Sequence, residues 1–514
     1  MKPDQPLKVL VEMRPALDGY AGIPQETRLL FRGLGGIGGI TLEGLLQTAH
    51  RFLAAGTALA PVADPLVPAS RAHRYARVVI SLETPPAHTF MAVVMRYIKK
   101  HWLAHKLMVS AVLRPDAHKI TLTGFETEHF KDYVWRSLFA KTLAPADFAV
   151  VTEKNYRICA IPWNLLQTAG LASLKWLAQA VYPVLDTQGI DIFIAQTPYP
   201  ARLSANTALI VRYHDAFPIF MPHTIAHKSR HEATHYHALV SNVASGAYFA
   251  CVSDATRRDL LALFPELEAR AVTIPNMVAP HYYESDAPRA RVPQIIRARL
   301  SLGDAHTQPA FNSLQEQAQF YQQHLGGETF DYLLVVSTLE PRKNHSLLLA
   351  AWEAARTELA PSPKLVIVGG VGWDVGPLLQ QLRTWIDQGE VFVLSHVAAT
   401  DLRILYRHAA ATVCPSLAEG FDFSGVEAMA SGGVVMASDI AVHREVYQDA
   451  AAYFDPYCAT SLAAVLKQLV GVQHAPYQEQ LRAEGQKVAA RYLPQTVLPQ
   501  WEQLLWRVQQ ASKT

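Results

Sequence analysis

Apolar residues fall along this chain in short unbroken runs separated by stretches of helical period, and the order of those runs predicts the fold. The first run, Lys8-Val9-Leu10-Val11-Glu12-Met13, reads as a strand. A turn-rich loop, RPALDGYAGIP, and a helical segment, QETRLLFRGL, follow it. Strand, glycine loop and helix is how an α/β domain opens. From Gly189 the alternation resumes, with strands over 191–195, 208–213 and 248–253, the helix DATRRDLLALF and the short strand AVTIPN. A second series starts at 332, where strands over 332–337, 364–370, 391–397, 411–416, 434–438 and 451–454 alternate with helices. Strands nearly continuous in apolar residues are what a parallel sheet covered on both faces requires.

The pattern therefore predicts an α/β chain of two Rossmann-like, doubly wound parallel-sheet domains. A ligand cleft is expected at the carboxyl ends of their strands. The expected bounds are an N-terminal domain over 1–290, an irregular polar connector over 291–327 and a C-terminal domain over 328–490. A final helix within 491–514, LPQWEQLLWRVQQ, is expected to pack back across both domains. Residues 41–187 are mixed in pattern and hard to order.

Two stretches invite specific readings. Gly33-Leu34-Gly35-Gly36-Ile37-Gly38 fits G-x-G-x-x-G, but a dinucleotide fingerprint needs a strand before it. Here a helix precedes it, so the glycines read as a helix C-cap and flexible turn. Phe90 to Arg114 carries no acidic residue and sets Arg96, Lys99, Lys100 and Lys106 on one helix face. The plain reading is a core-packed helix with a solvated cationic face. The alternative is a basic amphipathic surface touching anionic lipid headgroups.

At 514 residues the chain exceeds one ordinary core. Half its residues are hydrophobic and 18% charged, so it folds rather than stays disordered. Forty-six basic against 44 acidic residues leave no global field for nucleic acid. Cys159, Cys251, Cys414 and Cys458 form no C-x-x-C pair, which argues against a zinc ribbon or disulfide framework and suits a reducing cytosol. The opening residues lack a signal-peptide core, and no uncharged apolar run reaches spanning length. The expected location is cytoplasmic, with at most peripheral contact at the inner face of a membrane.

His231-Glu232-Ala233-Thr234-His235 has the H-E-x-x-H spacing of zinc peptidases. On one continuous helix His223, His227, His231 and His235 would share a face. No third-ligand signature follows, so the string reads as coincidental, and the zinc-dependent hydrolase stands as an alternative.

The second series carries the denser chemistry. Pro341-Arg342-Lys343-Asn344 follows a strand end, where a guanidinium fork and an ammonium suit a diphosphate. In Glu419-Gly420-Phe421-Asp422-Phe423-Ser424-Gly425-Val426-Glu427, Ser424 reads as an N-cap. The amides of Gly425 and Val426 would then point out of the positive helix end, with Glu427 in the first turn.

Together these residues resemble glycosyltransferase family 4, retaining nucleotide-sugar transferases of GT-B fold. Glu419 and Glu427 stand as its E-x7-E motif, and the resemblance is specific over about 331–457. It continues in order over the Asp18-Gly19-Tyr20-Ala21-Gly22-Ile23 loop, Tyr213-His214-Asp215 and the VSDATRRDL…VTIPN run. Where the family commonly has Gly-Leu-Pro, this chain has Asp422-Phe423-Ser424.

The resemblance implies that Glu427 binds ribose hydroxyls and Glu419 the donor sugar. Arg342 and Lys343, with the amides of Ser424, Gly425 and Val426, would neutralise the departing diphosphate. Gly22 would lie in the donor-facing loop, and His214 would contact the sugar. It further implies retention by same-face displacement, with Asp215 the candidate for a rival double displacement. The implied reaction moves a sugar from a GDP- or UDP-linked donor to a saccharide or lipid-linked acceptor, without metal or other cofactor, in making a polysaccharide or glycolipid. The remaining alternatives are a phosphorylase or epimerase of the same fold and a catalytically silent scaffold.

Overall fold

The computed structural model describes residues 5–20, 22–57, 68–83, 89–113, 118–300, 302, 305–326, 329–470 and 474–512. Its chain divides into two units: Met1–Val252 with Thr256–Ile274 and Leu498–Thr514, and Ser253–Ala255 with Pro275–Val497.

The first unit is built on an eight-stranded sheet. Its ten strands are β1 (Leu7–Glu12), β2 (Ile40–Leu46), β3 (Ile120–Thr121), β4 (Thr123–Phe125), β5 (Asn155–Ile158), β6 (Leu185–Asp186), β7 (Ile192–Ala195), β8 (Ala208–Tyr213), β9 (Tyr248–Cys251) and β10 (Ala271–Thr273). The sheet runs β10-β9-β8-β7-β1-β2-β5-β4, and β3 pairs with β6 apart from it. All pairings in the sheet are parallel except β4 with β5. Strand order reverses between β1 and β7, so the loops after these two strands diverge and leave a crevice at their carboxyl ends.

The stretch 41–187 proves to hold five of the named strands, β2 in part and β3 to β6 whole, with two long helices (Pro68–Glu83 and Phe90–Leu113) and the helix Trp163–Ser173. Its disorderly pattern has a physical cause: β4 is the edge strand and β5 its neighbour, and only part of each is buried.

The helix Ile23–Leu34 departs from the usual rule that charge faces water. Glu26 and Arg28 are fully buried on it. Glu26 forms a 2.9 Å ion pair with Arg212 of β8, both side chains shut off from solvent, and Arg212 also donates to the Ile274 carbonyl at 2.5 Å. Two charges in such surroundings are tolerated when they meet each other and their remaining polar groups find partners. The G-x-G-x-x-G string closes this helix, with Gly35 at its C-cap, and leads into β2.

The second unit holds β11 (Tyr332–Val336), β12 (Lys364–Val368), β13 (Val391–Leu394), β14 (Ala411–Cys414), β15 (Val435–Ser438) and β16 (Ala451–Phe454). They form one sheet in the order β13-β12-β11-β14-β15-β16, every pairing parallel. This is the 3-2-1-4-5-6 order of a doubly wound fold, with its reversal between β11 and β14. Trp352 anchors the core on one face, buried among Leu333, Val335 and Leu365, with its indole donating to the Pro363 carbonyl at 2.8 Å.

Two expectations change here. The stretch taken as an irregular connector over 291–327 contains the helices Arg291–Leu300 and Leu314–Leu325, and it groups with the second unit from Pro275 onward. Polar faces on both helices mask their apolar stripes; Ile295, Ile296 and Leu300 of the first are buried. Within 491–514, the residues from Leu498 group with the first unit.

Candidate functional site

The reversal point of the second sheet collects the residues that the motifs singled out. β11 ends at Val336, and the single-turn helix Pro341–Lys343 follows; β14 ends at Cys414, and the loop to Glu419 follows. Arg342 and Lys343 thereby meet Glu419 from 77 and 76 residues away. Arg342 Nη1 lies 2.9 Å from Glu419 Oε2, and Lys343 Nζ lies 2.5 Å from Oε1. The Arg342 fork also donates to the Ala418 carbonyl at 2.7 Å and to Glu340 at 2.7 Å, so it ties the two loops together. Burial pushes the Glu419 carboxyl up, but Arg342 and Lys343 outweigh it and hold the group below its ordinary range. The arrangement is a carboxylate gripping two cations, all three largely buried.

The helix that follows is Phe423–Ala430, and its N-cap is Asp422, not Ser424. Asp422 sits at φ +64°, a region that favours glycine. Its side chain offsets the strain. Oδ1 accepts from the Ser424 amide at 3.1 Å and the Ser424 hydroxyl at 2.6 Å, while Oδ2 lies 3.2 Å from His443 Nε2. Burial acts to raise this carboxyl, yet the His443 hydrogen bond and Lys343 hold it far below its usual range.

The helix phase also moves Glu427 out of the first turn. It is buried at 4% exposure, and its Oε2 accepts from the Tyr406 hydroxyl at 3.1 Å, with Tyr282 as a second hydroxyl partner. Ser424, Gly425 and Val426 are buried in the same turn. Gly425 permits close approach: a Cβ there would stand 2.3 Å from the Tyr447 ring.

Sequence reasoning missed His443 and His345. His443 is fully buried, bridging Asp422 to the Ser438 carbonyl, 2.9 Å from its Nδ1. His345, next to the Lys343 turn, meets the Ser337 hydroxyl at 3.2 Å. Burial, with Lys343 adding to it, lowers His345 from 6.5 to about 4. The folded state therefore disfavours its protonation, so stability present above pH 6.5 is lost as pH falls towards 4. Between about pH 7 and about pH 5 this group is expected to cost about 2 kcal/mol. Urea unfolding at both pH values should show that His345→Gln narrows the difference by that amount.

In the first unit, Gly22 is the N-cap of Ile23–Leu34 at φ +70°, and its carbonyl accepts from the Glu26 amide. Its loop is held by Arg28, another residue that the sequence did not mark. The Arg28 guanidinium donates to the carbonyls of Ala16 (2.8 Å), Asp18 (2.6 Å) and Gly19 (2.9 Å), and burial lowers its pKa to about 10. His214, just past β8, has a buried Nε2 without a hydrogen-bond partner among the described residues. Burial and Arg212 push its imidazole well below its ordinary value, so it is neutral at physiological pH. Asp215 accepts from the Phe217 amide at 3.2 Å, just before the short helix Phe217–Phe220. A pocket of about 520 Å³ opens beyond β1 and β2, lined by Arg14, Asp18, His50, Arg51 and Lys141 among others.

The histidines are not one stripe. The helix runs Lys228–Ala244, which leaves His223 in a separate turn and His227 at the N-cap with φ +52°. His231 is exposed, and His235 Nε2 faces the Tyr213 hydroxyl at 3.4 Å. Among the described residues no group of three or more His, Cys, Asp or Glu side chains is placed to hold a metal ion.

Residues 316–488, most of the second unit, match the family described as glycosyl transferases group 1. An O-antigen chain mannosyltransferase B of Escherichia coli is 32% identical over 161 residues, 31% of this chain and 42% of that protein. An O-antigen chain mannosyltransferase of Salmonella typhimurium is 35% identical over 144 residues, 28% of this chain and 39% of that protein. The matches thus span less than half of either relative. A sucrose-phosphate synthase from Thermosynechococcus elongatus is structurally similar over 98% of this chain and 100% of its own, with a TM-score of 0.54 and 14% identity. The chain is therefore an α/β protein of GT-B fold whose residues 316–488 match glycosyl transferases group 1.

Proposed function

We propose that this chain is a retaining glycosyltransferase that moves a hexose, with mannose the first candidate, from a GDP- or UDP-linked donor to a saccharide acceptor. The single observation that carries the proposal is the Arg342–Lys343–Glu419 cluster at the reversal point of the second sheet. Two adjacent cations there suit a diphosphate, and the 316–488 match and the mannosyltransferase relatives point to the same chemistry. An O-antigen or similar polysaccharide is the proposed product class.

In this reading the donor diphosphate replaces Glu419 as partner of Arg342 and Lys343. Glu419 then accepts from hydroxyls of the donor sugar. Glu427, its carboxylate oriented by Tyr406 and Tyr282, accepts from the ribose hydroxyls. The helix turn Ser424 to Val426 lies towards the phosphates. The anomeric C–O bond to the diphosphate breaks as the acceptor oxygen attaches on the same face. The acceptor's proton passes to the departing phosphate oxygen. Arg342 and Lys343 stabilise the charge that develops there, which is the work a metal does in other transferases. His214, neutral and with an open ring nitrogen, is kept as a proposed site residue of the first unit. Asp215, engaged with the Phe217 amide, is the less favoured nucleophile. The pocket beside Arg14 and Lys141 is the proposed acceptor side.

A thermal-shift panel with UDP, GDP, ADP and CMP in excess EDTA tests this. One nucleoside diphosphate is expected to stabilise the protein by about 2.7 kcal/mol at a hundredfold over its dissociation constant. Arg342→Ala should abolish that shift. A panel without any shift would sink the reading.

A further inference from the structure

The helix Phe90–Leu113 contradicts the core-packed expectation. Only Ala104, Met108 and Ala111 are buried on it, the first two packed against Leu165 and Ala169 of the helix Trp163–Ser173. On the other side Met91, Met95, Ile98, Trp102, Val109 and Leu113 are 38–72% exposed. They recur at steps of four, three, four, seven and four, which places them on one side of a helix. The stripe runs into an open groove of about 230 Å³, lined by Val109, Val112, Leu113, Leu177 and the exposed Trp176. A long apolar face left in water marks a contact surface.

Charge selects the contact. The helix carries Arg96, Lys99, Lys100 and Lys106 and no carboxylate. A protein partner that fits an apolar stripe does not require that one-sided balance, whereas an anionic bilayer does. Lys106 lies 5.7 Å from the Trp102 ring, beside the stripe, where its stem can lie along apolar surface while the ammonium reaches headgroups. Among the described residues no helix is long and apolar enough to cross a membrane, so the geometry is that of a helix lying in the interface. We propose that this face docks the protein on an anionic bilayer, with Trp102 and Trp176 at headgroup depth and the groove open to an acyl chain.

Co-sedimentation of the full chain tests the proposal, using phosphatidylcholine vesicles with and without phosphatidylglycerol. Binding to the anionic vesicles is expected to exceed binding to the neutral ones by about tenfold, and to weaken with salt. Ile98→Glu/Trp102→Glu changes exposed positions only and should lose about tenfold in vesicle binding with an unchanged melting curve. Lys99→Glu/Lys106→Glu keeps the stripe and should lose the anionic preference alone. Arg342→Ala, whatever its effect on nucleotide, should bind vesicles as the parent does, which separates this proposal from the transferase reading. Failure to bind anionic vesicles, or binding indifferent to Ile98→Glu/Trp102→Glu, overturns it. So does a concentration-dependent dimer that the same pair dissolves while vesicles are ignored.

Discussion

Arg342→Ala is expected to lower sugar transfer by about two to three orders of magnitude, the cost typical of removing one preorganised donor from a charge-developing site. The guanidinium is placed for a double task. Its fork grips Glu419, Glu340 and the Ala418 carbonyl, and Lys343 stands beside it on the same carboxylate. Arg342→Lys keeps the charge but not the fork, so it should recover only a small part of the loss. Because the charge on the leaving diphosphate grows towards the transition state, kcat should fall more than KM rises. Product formation from candidate nucleotide sugars, with a melting curve for each variant, checks this. An unaltered kcat would remove Arg342 from the chemistry.

The largest effect on stability is expected from Arg212→Met. The substitution removes the cation 2.9 Å from the buried Glu26 carboxylate and the donor to the Ile274 carbonyl, 62 residues away. Breaking one side of such a pair costs about 3–5 kcal/mol. Replacing both partners, Glu26→Gln with Arg212→Met, should cost markedly less, since no buried carboxylate then faces the lost cation. Urea unfolding followed by a probe in the first unit distinguishes the two. Equal losses in the single and double variants would show that the pair is not coupled.

Part of the site was legible because its residues lie within single loops. Arg342-Lys343 after one strand, and Glu419 to Glu427 after another, are local strings, and a strand-loop-helix step places such strings at the carboxyl ends of the strands. Their mutual pairing was not legible, since nothing local couples positions 76 residues apart. The N-cap fell on Ser424 by residue preference, but the positive φ at Asp422 shifted the helix start and carried Glu427 inward. Asp422 holds that conformation only because His443 and Ser424 satisfy its oxygens.

By itself the sequence determined the second sheet and the strands β1 and β7 to β10 of the first, because strands buried on both faces must be apolar throughout and so stand out letter by letter. It also determined that Gly33–Gly38 closes a helix, since the preceding residues have helical period. The tertiary structure alone decided the strand order, the burial of Glu26, Arg28 and Arg212, and the exposure of the Met91–Leu113 stripe. A helix with apolar residues on two faces has the same letters whether one face meets protein or both do. Charged residues in a core likewise read as surface until their partners arrive from elsewhere in the chain.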